Sequence, residues 1–479
     1  MELPSPESNN EKTSRLNEGK EENEEPPTQW RLIIICATIY FLITTVLTTL
    51  NVVAYLYLKN IDPSISPVYA GLHLASAKFG HAIGTVAFAV YAYSYKCFTK
   101  PLLIGRVISI FSIILYLGIL MFPESSRRYV FLISFLMQSF AEGSLIVMRS
   151  YIPRVSTEKD RHAAYGIISG AVMMSILAGP GIQMSADFLP VVELYSRLEL
   201  RGFTYPIWIA LFLCVLAMFL ISNKLEDPTP MEEEKKLTHG SFVTSMATAI
   251  EQVSLVDKAV LGMIFFERII CSVAFSALLA VFAPYIQTTF NSDNSVIYTA
   301  GAQGVAGIVS MLTVAFFIFS PILKSGRCSL LLFFSLSCYF FMYLYSFPWS
   351  PISEPITVMS TENPHGCNTT ELAWCVVQSH VKMWYWLPVI VFLFAMAVPT
   401  SMISIDTVYS KLLGDIDQNI MQGALVLVDD IASSVAPIVT MKIYTSYGLD
   451  ALWLALAGAA LVGFFAWILM IPKMRKLKL

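Results

Sequence analysis

The sequence predicts an all-α membrane protein: twelve transmembrane helices arranged as two six-helix halves. Three observations carry this. Apolar stretches of roughly 20 residues, the length at which a helix matches a bilayer's hydrocarbon core, recur from Leu32 to Ile471 between short polar loops. Hydrophobic residues make up 56% of the chain and charged residues only 14%, with a mean hydropathy of +0.64; a soluble domain carries about 25% charged residues. One long charged segment divides the apolar stretches six and six.

In chain order, residues 1–31 form an acidic tail rich in Pro, Ser and Asn, too polar to bury a core and expected to be disordered. The first bundle, residues 32–222, holds the expected spans Leu32–Leu58, Val68–Tyr93, Leu102–Phe122, Tyr129–Arg149, Ala163–Leu189 and Tyr205–Ser222. Residues 223–257 form a linker whose Glu232, Glu233, Glu234, Lys235 and Lys236 belong in water, with some amphipathic helix. The second bundle, residues 258–472, holds Lys258–Ile286, Ser295–Phe319, Cys328–Phe347, Tyr385–Tyr409, Ala424–Ser446 and Ala451–Ile471, and a basic tail follows at 473–479. The first apolar run starts too late and runs too long for a cleaved signal peptide.

The positive-inside bias puts both termini in the cytosol, led by the loop Arg149–Arg161 and the tail Lys473–Lys478; Lys78, Arg268 and Lys442 are read as basic residues inside spans. The net charge of −3 reflects the acidic tail and identifies no partner. The loop Pro348–Trp384 then lies on the opposite side. It carries the glycosylation sequon Asn368-Thr369-Thr370, flanked by Cys367 and Cys375, whose pairing suits an oxidising lumen or exterior. The other cysteines read as small core residues, and aromatics such as Trp384 and Trp386 as an interface belt.

The halves repeat. Pro180 and Pro437 stand 257 positions apart in matching small-residue contexts, and the same offset pairs Arg154 with Lys411, Asp160 with Asp417 and Gly166 with Gly423. Small residues before a mid-span proline let a neighbouring helix approach while the proline bends the chain. Two parallel six-helix repeats around a central cavity are the major facilitator architecture. Within it, Arg149-Ser150-Tyr151, Gly179-Pro180-Gly181 and Tyr409-Ser410-Lys411-Leu412-Leu413-Gly414 resemble the ceroid-lipofuscinosis neuronal 7 group, itself similar to vacuolar phosphate transporters whose added SPX domain this chain lacks. The resemblance implies a lysosomal or endosomal multi-pass protein moving a small anion, with chloride suggested and the plasma membrane as the alternative site. The chain departs from the pattern in the loop Ser94–Pro101, which keeps basic residues and lacks the superfamily's acidic one, and the tail carries no acidic dileucine signal.

Ionisable groups at membrane depth need a partner or a wet cavity, so they are the candidate site residues. In this superfamily spans one, four, seven and ten line the cavity, which places Glu142, Glu267, Arg268 and Asp406 best, with Arg149 an anchor at the inner interface, part of a cytosolic gate or a further contact on the substrate path. Glu142 is a candidate proton carrier; Arg149 lies nearly two turns further toward the cytosol. Arg268, Ser272 and Ser276 recur at i, i+4 and i+8 as one polar stripe, a fixed charge with hydroxyls that suits an anion; Glu267 beside it points elsewhere. In span two His73, Lys78 and His81 share a face, and Lys78 needs a carboxylate, for which Asp429 or Asp430 across the bundle interface is expected to serve as a gating pair. A lone His81 more often packs than titrates. Gly301, Gly304 and Gly307 offer flat surface for helix packing.

The expected function is alternating-access transport of a small inorganic or organic anion, with Glu142 or Asp406 taking a proton if transport is coupled. A neutral-solute facilitator for sugars or similar nutrients is the alternative. No P-loop, HExxH, CxxC pair or nucleophile elbow points to an enzyme, and no cofactor or catalytic metal is implied. The expected partners are a small-molecule or ion substrate and the bilayer, with no nucleic acid, and the chain is expected to act as a monomer.

Overall fold

A computed structural model describes residues 27–95, 97–157, 160–189, 192–195, 198–200, 203–227, 251, 256–290, 295–319, 328–359, 366–413 and 418–476. The acidic tail up to residue 26, the linker charges Glu232 to Lys236, Asp417 of the repeat and the last three residues of the basic tail lie outside these described residues.

The helices are α1 (Trp30–Asn51), α2 (Ala54–Ile61), α3 (Val68–Tyr95), α4 (Thr99–Leu117), α5 (Glu124–Glu142), α6 (Ile146–Val155), α7 (Arg161–Asp187) and α8 (Tyr205–Lys224), then α9 (Lys258–Thr289), α10 (Ser295–Phe319), α11 (Cys328–Ser346), α12 (Met383–Leu413) and α13 (Gln418–Lys476). Among the described residues nine stretches are long and apolar enough to cross a membrane. One of them is α13, whose 59 residues make two crossings divided at Gly448 (φ 81, ψ −163). With α3 and the shorter apolar α11, the described helices account for the twelve expected spans, and the chain has the major facilitator fold.

Three details differ from the expectation. The first span is broken: α1 ends at Asn51 and α2 starts at Ala54. Here the Asn51 side chain donates back to the Leu47 carbonyl at 3.1 Å while its Oδ1 meets His73 Nε2 at 3.0 Å, and two β-branched valines follow. The fourth span runs from α5 through a buried 3₁₀ turn at Gly143–Leu145 into α6, a local change in the hydrogen-bond ladder that redirects the span. The tail is docked before Trp30: Thr28 Oγ1 donates to Asp160 (2.6 Å) and the Gln29 amide to the Val155 carbonyl (2.9 Å).

Within the first six spans α1 packs on α7 and α8, α3 on α5, and α4 on α5 and α8; in the rest α9 packs on α13, α11 on α12 and α13, and α10 on α12. The halves meet where α3 packs on α13 and α7 on α10, which are equivalent contacts under the 257-residue repeat. Pro180 and Pro437 both sit inside helices, at these meeting places. A side chain at Gly71 of α3 would stand 2.5 Å from the Pro437 carbonyl oxygen, so glycine is what lets α3 and α13 touch there.

The face carrying Trp30 and Lys476 is called the terminal face below, and the opposite one the distal face. At the terminal face Asp257 caps α9 and accepts from Lys473 at 2.8 Å; that ion pair holds its carboxyl below the usual range. Asp227, just past α8, accepts from the Phe98 and Thr99 amides at 2.8 and 3.0 Å and so caps α4. The acidic group missing from the preceding loop is thus supplied from the end of the bundle. At the distal face β1 (Ser353–Pro355) and β2 (Ser379–Val381) pair antiparallel, and Cys367 and Cys375 are joined, their Cα atoms 6.3 Å apart. Asn368 Oδ1 accepts from the Thr370 amide and hydroxyl at 3.1 and 2.7 Å.

Candidate functional site

Between the halves lies a chain of charged groups contributed by α3, α9, α12 and α13. His81 Nδ1 stands 2.7 Å from Asp430 Oδ2, and Lys78 Nζ stands 3.5 Å from Asp430 Oδ1 and 3.9 Å from Asp429 Oδ2. Arg268 Nε meets Asp429 Oδ1 at 3.1 Å, and its Nη1 lies 3.7 Å from Asp406 Oδ1. Ser272 Oγ contacts both Asp429 and the Arg268 carbonyl, so its single proton serves one at a time. Ser276, one turn further on, is buried and its Oγ has no hydrogen-bond partner among the described residues. Local sequence explains the gathering: Arg268, Ser272 and Ser276 share one stripe of α9, Lys78 and His81 sit one turn apart on α3, and adjacent Asp429 and Asp430 diverge enough to serve a different helix each.

The chain of charges borders a crevice. The Asp406 side chain is 52% exposed, and the charge of Arg149, an exposed residue of α6, reaches it from the other half. Contacts between halves concentrate toward the distal face. There Val52, Val53, Tyr55 and Leu56 are buried in one cluster with Leu278, Val281 and Tyr285 of α9, and Lys59 pairs with Glu371 of the distal loop at 3.8 Å. Toward the terminal face α7 and α10 part beyond the Gly307 contact with Ile176. Gly166 and Gly170 of α7 and Gly423 of α13 have open space around them, and Leu312 and Phe316 of α10 are exposed. The crevice therefore opens to the terminal face and is closed at the distal one. Lys78, His81 and Asp430 lie where α3 and α13 begin to separate.

Each expected residue can now be placed. Lys78, Asp429 and Asp430 come together across the halves; Arg268, Ser272 and Asp406 join them, with Arg149 facing Asp406. Glu142 and Glu267 form no ion pair with these residues among the described ones and lack the exposure of Asp406. Glu142 is buried within the first bundle, where its charge meets that of Arg106. Glu267 is fully buried, with Oε2 aimed at Gly463 of α13 and neither oxygen hydrogen-bonded among the described residues. Helical periodicity assigns two residues to different faces but does not say which face meets water when every face is apolar. His73 also turns inward, onto Asn51 and the Phe135 ring. Gly301, Gly304 and Gly307 lie against Met184, Pro180 and Ile176 of α7, as packing surface.

Arg106, near the start of the expected span from Leu102, is not among the candidates that the sequence offers. It is fully buried in α4, its Nη2 donating to the Ala141 carbonyl (3.1 Å) and Ser144 Oγ (3.4 Å) while Nε and Nη1 lack partners among the described residues. The signal was there: it lies a full turn inside an apolar helix. No group of three or more metal-ligating side chains occurs among the described residues.

A model of the Major Facilitator Superfamily matches residues 19–361. The chain is 22% identical over 472 residues to Xenopus laevis major facilitator superfamily domain-containing protein 8, covering 91% of this chain and 90% of that one. Among solved structures it is similar to the nucleoside transporter NupG (TM-score 0.58, 13% identity, 92% of this chain and 98% of that one). A D-xylose-proton symporter gives a TM-score of 0.58 at 12% identity, covering 91% and 97%. A bacterial homologue of the human lysosomal transporter Spinster, inward-facing and unoccupied, gives 0.57 at 13% identity, covering 95% and 98%. At such identities these structures speak for the fold alone.

Proposed function

Because the chain belongs to the major facilitator superfamily and so transports a small solute across a membrane rather than catalysing a reaction, we propose that its substrate is a small anion, bound at Arg268 and moved by alternating access. The observation that carries this reading is the Arg268–Asp429–Asp406 cluster at the crevice, where a fixed guanidinium is held by two carboxylates and flanked by the Ser272 hydroxyl. Arg268, Lys78 and Arg149 face Asp406, Asp429 and Asp430, so the formal charges balance. An incoming anion has to displace a carboxylate, and a proton on Asp406 or Asp429 removes the competitor; that is a physical route to proton coupling. Arg149 adds a second positive charge at the mouth of the crevice. Lys78 with Asp429 and Asp430 acts as the gate between halves. Chloride and a lysosomal or endosomal membrane are what the family resemblance implies, and Asn368, half-buried in a loop outside the membrane, is a glycosylation site in this reading.

The same balance of charge supports a second reading, a neutral solute that leaves every ion pair intact. Reconstitution into liposomes separates them. Chloride flux should follow an imposed pH gradient and be lost in Arg268→Ala and Asp429→Asn. Chloride flux unchanged by Arg268→Ala refutes the anion site, and sugar or nucleoside flux that survives it supports the neutral one.

A further inference from the structure

On the distal face, away from the crevice, Tyr298, Glu354, Lys382, Met383, Trp384, Leu387 and Pro388 enclose an open recess of about 650 Å³. Its depth in the membrane follows from α12. A helix of 31 residues is about 46 Å long, against a hydrocarbon core of roughly 30 Å. The first turn of α12 therefore stands among lipid headgroups. Trp384 and Tyr298 are exposed at that level, as interfacial aromatics are.

The recess combines chemistry that an ordinary aromatic belt does not. Lys382 immediately precedes α12, so its ammonium adds to the positive end of that helix, and it has no ion-pair partner among the described residues. Glu354 sits one strand away on β1, half exposed, its carboxylate 3.8 Å from His380. Burial holds His380 below the usual imidazole range, so near neutral pH Glu354 keeps its negative charge uncompensated. The two opposite charges stand beyond ion-pair distance of each other. A ligand with a phosphate and an ammonium fits between them: phosphate at Lys382 and the helix start, ammonium against Glu354 and the Trp384 and Tyr298 rings. Met383, Leu387 and Pro388 offer the apolar wall along which acyl chains would run.

We propose that this recess is a binding site for the headgroup of a zwitterionic phospholipid from the distal leaflet. An anionic headgroup satisfies Lys382 but is repelled by Glu354, so net-neutral lipids are selected. The site is independent of whatever the crevice carries.

The test uses the full chain, stripped of lipid in detergent, with dioleoyl phosphatidylcholine, phosphatidylethanolamine or phosphatidylglycerol added. Retained lipid is read by native mass spectrometry and stability by thermal unfolding. Phosphatidylcholine or phosphatidylethanolamine should be retained and raise Tm, and phosphatidylglycerol should bind about tenfold more weakly. Lys382→Ala should abolish the lipid-dependent shift, and Trp384→Ala should weaken it. Glu354→Lys should reverse the preference toward phosphatidylglycerol, a gain that a merely destabilised variant cannot show. Equal stabilisation of the wild type by phosphatidylglycerol, or an unchanged preference in Glu354→Lys, would overturn the proposal.

Discussion

His81 Nδ1 lies 2.7 Å from the Asp430 carboxylate, and the two residues belong to opposite halves of the molecule. Lys78 reaches the same carboxylate at 3.5 Å, so one buried aspartate ties α13 to two residues of α3. The contact forms where these helices start to diverge, and it must break or slide if the crevice is to close at the terminal face.

Lys78→Asp and Asp430→Lys should each lose most chloride flux in proteoliposomes, because each leaves like charges facing one another. The double swap should recover a large share of it. Independent, additive losses in a double-mutant cycle would show that the pair does not act as a unit.

Gly71→Leu drives a side chain into the Pro437 carbonyl and Met441, 2.5 and 2.9 Å from where its Cβ would lie. The obstruction is backbone, which cannot move aside. The halves should be wedged apart at the distal face. Cysteines placed there should react faster with a membrane-impermeant reagent, and flux should fall at least tenfold.

Arg106 and Glu142 share a buried site, so removing one leaves the other's charge uncompensated. Arg106→Leu should cost about 3–5 kcal/mol, read as a lower Tm in detergent. Arg106→Leu with Glu142→Gln should be the more stable of the two variants, since a neutral amide is cheaper to bury than a lone carboxylate. If the double variant melts lower than Arg106→Leu, the two charges are not coupled.

His380 sets the pH response of the distal loop. Burial depresses its pKa, partly offset by the Val381 carbonyl and Glu354. The unfolded loop therefore binds a proton more readily than the folded one. The contribution of His380 is intact above an ordinary imidazole pKa of about 6.5 and is lost as pH falls below it. Protection factors from hydrogen exchange across residues 353–359 and 366–381, corrected for the pH-dependent intrinsic rate, should fall between neutral pH and pH 5. His380→Phe should flatten that dependence.

Much of this was legible from residue types. A charge is too costly in hydrocarbon to be accidental, so Lys78, Arg268, Asp406, Asp429 and Asp430 announced themselves, and Lys78 announced its need for a carboxylate. The repeat around Pro180 and Pro437 marked two helices that a neighbour could approach closely, without naming the neighbour. What could not be read was direction. Glu142 and Glu267 sit in helices apolar on every side, where neighbours decide which face meets water. Arg106 was masked by its place near a span end, where arginines usually reach for the surface. The breaks at Val52–Val53 and Gly143–Leu145 depend on what each turn packs against, and the hydropathy there is continuous.

The 3₁₀ turn at Gly143–Leu145 has a mechanical meaning. The hydrogen-bond ladder is rewired there, so the span changes direction: Arg106 holds the joint through Ala141 and Ser144, and buried Val147, Met148, Tyr151 and Ile152 seat the segment that carries Arg149. The bend thus mounts a positive charge opposite Asp406 on a base of packed apolar side chains.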